Sequence, residues 1–178
     1  PRLNAAGRLD DMTIGIRCLL AATPQEAMQY AQQLHVLNAE RKQIEAEMQW
    51  DAMADLAQDF QDSQYTISVF QPDWHQGVIG ILASRIKERF HRPVIAFADP
   101  GDGLIKGSGR SIAGLHLRDA LDLVTKLQPD LIIKFGGHAM AAGLSIRADD
   151  FTRFQQVFEQ VVQQLINAEI LQQVLETA

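Results

Sequence analysis

From Gln25 to Asp62 the chain contains neither glycine nor proline, and that run constrains the fold more than any other stretch. Thr23, Pro24 and Glu26 open it with an N-cap residue, a first-turn proline and a capping-box carboxylate. Apolar residues then recur at Ala27, Ala31, Leu34, Leu37, Ile44, Met48, Ala52, Leu56 and Phe60, in steps of three, four or their sums. The spacing predicts one helix of about 39 residues, roughly 58 Å long at the α-helical rise. A stripe this narrow among many Gln, Glu and Asp is too polar to bury in one small core, so the helix is expected to connect two bodies. A coiled-coil dimer is the rival, against which the stripe drifts from a strict heptad and Arg41 interrupts it.

On either side of that run the pattern changes. Residues 10–22, DDMTIGIRCLLAA, read as a short helix with an acidic first turn. Beyond Ser63, YTISVF (65–70) and PVIAFA (93–98) have the period and residue types of strands, and GVIGILASRIKERF (77–90) between them has helical spacing. That is a β-α-β unit with a parallel strand pair. GLIKGSGRSI (103–112) reads as a strand ending in glycines, LRDALDLVTKL (117–127) as a helix, DLIIKFGG (130–137) and AAGLSI (141–146) as strands, and 149–169 as a last helix. The expected fold class is α/β: a long connector helix leading to a small α/β sandwich with a mixed sheet.

Composition narrows the function classes. A 47% apolar content excludes a disordered chain, and no run approaches the length of a membrane helix. Cys18 is the single cysteine, which is compatible with a reducing cytosol; it reads as a small buried hydrophobe. The net charge of −6 argues against nucleic acid as a partner. It is unevenly spread, however: residues 66–147 carry 10 basic and 7 acidic side chains and four of the five His. A locally basic centre keeps phosphate binding open. The chain opens on Pro1, inside what reads as a motif, and is expected to be a piece of something longer.

Three glycine-containing stretches fall at expected strand ends, where ligands of open α/β sheets bind. In KGSGRS (106–111), glycine permits close backbone approach, Ser108 and Ser111 offer hydroxyls, Arg110 a planar fork and Lys106 a point charge. A hairpin turn with solvated cations explains the same residues. In WHQGVIG (74–80), a helix start at Gly77 would attract an anion and Trp74 could stack on a base. A capping His75 and a core Trp74 are the plainer account. In FGGHAMAAG (135–143), Gly136 and Gly137 bare the backbone and His138 can donate to a phosphate oxygen. The small residues that follow would let a short helix pack against the sheet, which leaves His138 without a role. Metal chemistry is poorly served: there is no Asp-x-Asp, His-His or His-x-x-x-His, and Asp10-Asp11 and Asp149-Asp150 sit where helices begin.

Together PRLNAAGRLDD (1–11), WHQGVIGILASRIKERFHRPVIAFA (74–98), KGSGRSI (106–112) and KFGGHAMAAGLSI (134–146) closely resemble the RecJ family of the DHH phosphoesterase superfamily, bacterial exonucleases specific for single-stranded DNA. The resemblance implies a two-body enzyme that hydrolyses single-stranded DNA from the 5′ end to 5′-mononucleotides in recombination and repair. Residues 1–23 would end the DHH catalytic domain, 24–62 form the connector, 63–165 the DHH-associated substrate-binding domain, and 166–178 a tail toward an OB-type domain. By motif, Arg8 would reach the active-site phosphate, with Asn4 orienting its loop. Ser108, Gly109, Arg110 and Ser111, with Lys106, would hold the 5′-terminal or adjacent phosphate. Gly136, Gly137 and His138 would contact the nucleotide nearest the scissile bond, Arg8 and His138 acting in catalysis, while Trp74 and His75 are further candidates for DNA contact. The Mn2+ or Mg2+ pair of such enzymes rests on motifs not found in this sequence, so the chain alone is expected to bind no metal pair and to leave DNA uncut. The alternatives are a DHH-type phosphodiesterase of short oligonucleotides and a purely nucleic-acid-binding module like that appended to alanyl-tRNA synthetase.

Overall fold

The computed structural model of the chain describes residues 1–171; residues 172–178 of the expected tail lie outside them. The chain forms two compact units, Pro1–Met48 and the part from Gln49 onward. In the first, α1 (Arg2–Leu9) and α2 (Thr13–Leu20) precede the long helix α3 (Pro24–Asp59), which runs on into the second. Residues 1–9 were expected to hold a loop and are helical instead. Ala5, Ala6 and Leu9 suit a helix, and the Pro1 carbonyl accepts from the Ala5 N–H at 3.0 Å. The acidic pair lies outside the helix it was expected to open: Asp11 accepts from the Thr13 hydroxyl and N–H at 2.7 and 2.9 Å, which holds its carboxyl below the ordinary value. Thr23 accepts from the Glu26 N–H at 3.2 Å, and the Glu26 carboxylate reaches back to the Ala22 N–H at 3.1 Å. Arg41 is accommodated on α3 by an ion pair with Glu45 and a hydrogen bond to Asn38 at 3.3 Å. At 36 residues α3 is slightly shorter than expected, because Gln61 and Gln64 bond to each other and turn the chain.

The second unit is an α/β sandwich. Strands β1 (Ile67–Phe70), β2 (Val94–Ala98), β3 (Leu104–Arg110), β4 (Lys134–Gly137) and β5 (Ala141–Arg147) form one sheet in the order β1-β2-β3-β5-β4. The β1–β2 pair is parallel across α4 (Ile79–Phe90), and all other pairs are antiparallel, so the sheet is mixed as expected. Helix α5 (Leu117–Leu127) has the bounds read from the sequence, and α6 (Phe151–Leu165) follows a single 3-10 turn. β2 is buried along its whole length, as a strand covered on both faces must be. Ile95 and Phe97 point into the main core with Leu117, Leu121, Phe154 and Phe158 of α5 and α6, while α4 packs on the opposite face over β2 and β3.

Two charged side chains fix the open ends. Arg92 donates to the carbonyls of Asp62, Gln64, Phe90, His91 and Leu171, drawing three segments together. Glu159 of α6 accepts from the Tyr65 and Thr66 N–H groups at 2.8 Å and from the Thr66 hydroxyl at 2.6 Å, closing the outer edge of the sheet beside β1. Glu159→Gln would point an amide donor at one of these donors. The expected cost is about 1.5–3 kcal/mol, the worth of hydrogen bonds to a charged group, read as a lower urea midpoint at constant m value. A change below about 0.5 kcal/mol would show that the edge is held by packing alone.

Candidate nucleic-acid interface

The site is built by the parity of β3. Gly107 and Gly109 face the main core because nothing larger fits: an added Cβ would stand 2.6 Å from Phe97 at Gly107 and 2.7 Å from Leu117 at Gly109. The alternation of a strand then turns Lys106, Ser108 and Arg110 to the other face. KGSGR is therefore a strand, correcting the expectation of glycines at a strand end; its glycines serve packing, and its polar side chains form a row on a sheet face. Register continues that face outward, with Ser108 opposite Gly143 of β5 and Gly143 opposite Gly136 of β4.

Arg110 and Ser108 lie over the first turn of α4. The Arg110 guanidinium donates to Ser108 Oγ at 3.2 Å and to the Gly109 carbonyl at 2.7 Å. Beneath them is Gly80, where a Cβ would stand 2.9 Å from both Arg110 Nη2 and Ser108 Oγ. The pair is thus seated on a helix residue that has no side chain, in the first turn at the positive end of the helix. Lys106 reaches the Gln76 side chain at 3.3 Å.

The two glycines of FGGH have different causes. Gly137 adopts φ +154°, and a Cβ there would meet Ala141 O and Ala142 Cα at 2.5 Å, so the turn requires glycine. Gly136 has nothing within 4 Å of where a Cβ would stand, and Gly143 only the Gly107 carbonyl at 3.8 Å. Both are exposed, Gly143 on the inner strand β5 and Gly136 on the edge strand β4, and glycine weakens a strand. The fold gives no reason for bare backbone at this pair. His138 is exposed at the start of the β4–β5 turn, its N–H donating to Ala141 O at 2.8 Å. The small residues after it form a hairpin tip and β5, the strand expected over 141–146, and not the short helix of the plainer alternative; Met140 O and Ala139 O accept from the Ser111 and Leu117 N–H groups.

Other candidates are placed elsewhere. Ser111 is 1% exposed and donates to Leu115 O at 2.8 Å, so it holds the loop after β3 and does not face a phosphate. Gly109 points into the core and contributes its carbonyl to Arg110. Trp74 is 4% exposed, with no ring face for a base, and His75 Nδ1 accepts from the Gly77 N–H at 3.0 Å. In the first unit, Asn4 and Arg8 sit one turn apart on α1. Gly80 and Gly143 escaped the sequence reading; the one signal for them was that each ends a glycine-spaced block already of interest. A cavity of about 400 Å³ lies along the far edge between α3, β1 and α6, and none of these residues lines it.

Residues 62–164 match the DHHA1 domain family model. The chain belongs to the DHHA1 domain family. Around its DHHA1 domain it is 56% identical over 176 residues to the single-stranded-DNA-specific exonuclease RecJ of Salmonella typhimurium, covering 97% of this chain and 30% of that protein. It is 54% identical to the RecJ of Escherichia coli over the same shares. Its structure is similar to that of RecJ in complex with Mn2+ from Thermus thermophilus, with a TM-score of 0.81 and 34% identity over 94% of this chain and 24% of that one. The chain thus spans about 30% of the length of the curated relatives it matches.

The seat of Arg110 yields a separable test. Gly80→Ala should leave the melting temperature unchanged or raise it, because alanine is the better helix former and only side-chain ends need move. Affinity for a 5′-phosphorylated oligonucleotide should fall about tenfold or more, the worth of a charge-assisted hydrogen bond. Unchanged affinity would show that Gly80 does not set the Arg110 position.

Proposed function

We propose that this chain is the substrate-holding part of a single-stranded-DNA-specific exonuclease that acts from the 5′ end, releasing 5′-mononucleotides in DNA recombination and repair. The observation that carries this is the Gly136–Gly143 pair, bare backbone open to solvent in register with Ser108. A nucleotide can lie against that surface, with its 5′ phosphate held by Arg110 and Ser108 and supported by Lys106. Such contacts give affinity without base readout, which suits an exonuclease that degrades any sequence. His138, at the end of the same hairpin, would contact the nucleotide nearest the scissile bond, and Arg8, in the first unit, is proposed to reach the active-site phosphate.

The division of labour follows. Residues 1–23 are read as the end of a DHH domain, 24–62 as the connector, 63–165 as the DNA-holding domain, and 166–178 as the approach to an OB-type domain. RecJ from Thermus thermophilus has been crystallised with Mn2+ and with Mg2+. Among the described residues of this chain no three His, Cys, Asp or Glu side chains gather as a metal site. We therefore assign the metal pair to the DHH domain and to this chain the holding and orienting of the strand. No helix among the described residues is long and apolar enough to cross a membrane; the reading places the enzyme in the cytoplasm.

Two measurements test this. Manganese-dependent release of mononucleotides from 5′-phosphorylated single strands should be absent for this chain and present when it is extended through a DHH domain. Cleavage by the chain alone, or none by the extended protein, would contradict the proposal. Gly136→Val should fold normally, since its side chain enters open space on a strand, yet lose most DNA binding; full binding would remove the glycine pair from the site.

A further inference from the structure

We propose that the outer edge of β1 is a docking site for an extended, basic segment of a partner protein, which adds to the sheet as a further strand. In the order β1-β2-β3-β5-β4, β1 has a neighbour on one side only. The Ile67 N–H donates to Pro93 O at 3.0 Å, and the parallel register with β2 continues that alternation, so Ile67 and Val69 turn their backbone groups inward. Those of Thr66, Ser68 and Phe70 therefore point away from the sheet. Side chains of α6 meet part of this edge: Glu159 accepts from the Thr66 N–H at 2.8 Å, and Gln155 Nε2 donates to Ser68 O at 2.9 Å. Among the described residues the Ser68 N–H and both backbone groups of Phe70 have no such partner. Ser68 Oγ is buried and unpartnered as well. These are the groups that an added strand pairs.

This edge opens into the cavity of about 400 Å³ between α3, β1 and α6, which lies wholly within the second unit. Its two walls differ. On the α3 side stand the exposed carboxylates of Asp59 and of Asp55, which accepts from Gln71 Nε2 at 2.9 Å. On the α6 side Phe151 packs against Phe70, their ring centroids 5.6 Å apart, and the Glu159 carboxylate is already engaged by Tyr65 and Thr66. No Lys or Arg lines the cavity. Successive side chains of a strand point to opposite faces. A guest strand that alternates Lys or Arg with aliphatic residues thus sets its cations against the carboxylates and its apolar groups against the rings. Charge disfavours the other occupants: a second copy paired through β1 would bring Asp55 and Asp59 against their own counterparts, and residues 172–178 carry Glu176 and no cation. Because β1 and β4 are opposite edges of the sheet, a docked segment leaves the face of Ser108, Gly143 and Gly136 free. A short edge strand partly covered by side chains can also be a device against association, and the test separates that role from docking.

The probe is a blocked heptapeptide alternating lysine and valine, titrated into this chain with amide hydrogen exchange as the readout. Exchange at Ser68 and Phe70 should slow about tenfold or more at saturation, while Ile67 and Val69, already bonded to β2, should not change. The same peptide with glutamate in place of lysine should bind about tenfold more weakly or worse, and a backbone N-methylated version should protect neither Ser68 nor Phe70. Asp55→Asn combined with Asp59→Asn should lower affinity for the lysine peptide about three- to tenfold, as the loss of two surface ion pairs. The melting temperature of that variant should be unchanged or raised, because carboxylates near a helix C-terminus oppose its dipole. No binding, equal affinity for the glutamate peptide, or protection confined to other residues would overturn the site. So would protection of Ser68 and Phe70 that grows with protein concentration in the absence of peptide, which makes a second copy the occupant. Loss of peptide binding when the chain is extended through its neighbouring domains would overturn it too, since a segment of the same protein then holds the edge.

Discussion

The parity of β3 is the constraint on which the interface depends. Phe97 and Leu144 leave no space for a Cβ at residue 107, nor does Leu117 at residue 109, so only glycine lets β3 lie flat in the sheet. Once those positions face the core, a strand has no freedom left: Lys106, Ser108 and Arg110 must emerge together on the opposite face. A slip by one residue would bury two cations against Phe154 and Phe158, at a cost of several kcal/mol each without partners. Apolar packing on one side of the sheet thus fixes the electrostatics of the other.

The covering helices divide the sheet in a useful way. α5 and α6 cover the core face over Ile95, Phe97 and Leu144, whereas α4 packs over β2 and β3. The uncovered part of that face is where glycine replaces side chains and where the strands carry cations and no carboxylates. Gly80 joins the two regions, since its missing side chain lets the last covered row become the first binding row. A chain with a net charge of −6 can in this way present a locally basic surface to a polyanion.

Much of this was legible in the sequence. The Gly- and Pro-free run and its capping signals located α3, and the apolar period located α5 to the residue because His116 accepts from the Asp119 N–H where the helix begins. Glycine was the main source of error. In KGSGR it suggested the end of a strand rather than its middle, since an isolated strand shows no reason for it; the reason is Phe97 and Leu117 across the sheet and the core. In FGGH the two glycines looked alike, and only the structure separates the one a turn demands from the one it does not. The helical motif at Arg2–Leu9 was hidden by a proline at its N-cap, and the burial of Ser111 and Trp74 by their polar and aromatic character. The role of Gly80 depends on contact with residues about thirty positions away and leaves no local trace.

The central claim is that the open face of β3, β5 and β4 receives the 5′ end of a single strand. The most direct measurement is the change in backbone amide resonances of this chain on titration with a short 5′-phosphorylated oligonucleotide. The account predicts shifts concentrated at residues 106–110, 134–138 and 141–145 and at the first turn of α4, with α5 and α6 silent. Shifts confined to the helical face, or a response unchanged when the 5′ phosphate is removed, would contradict it.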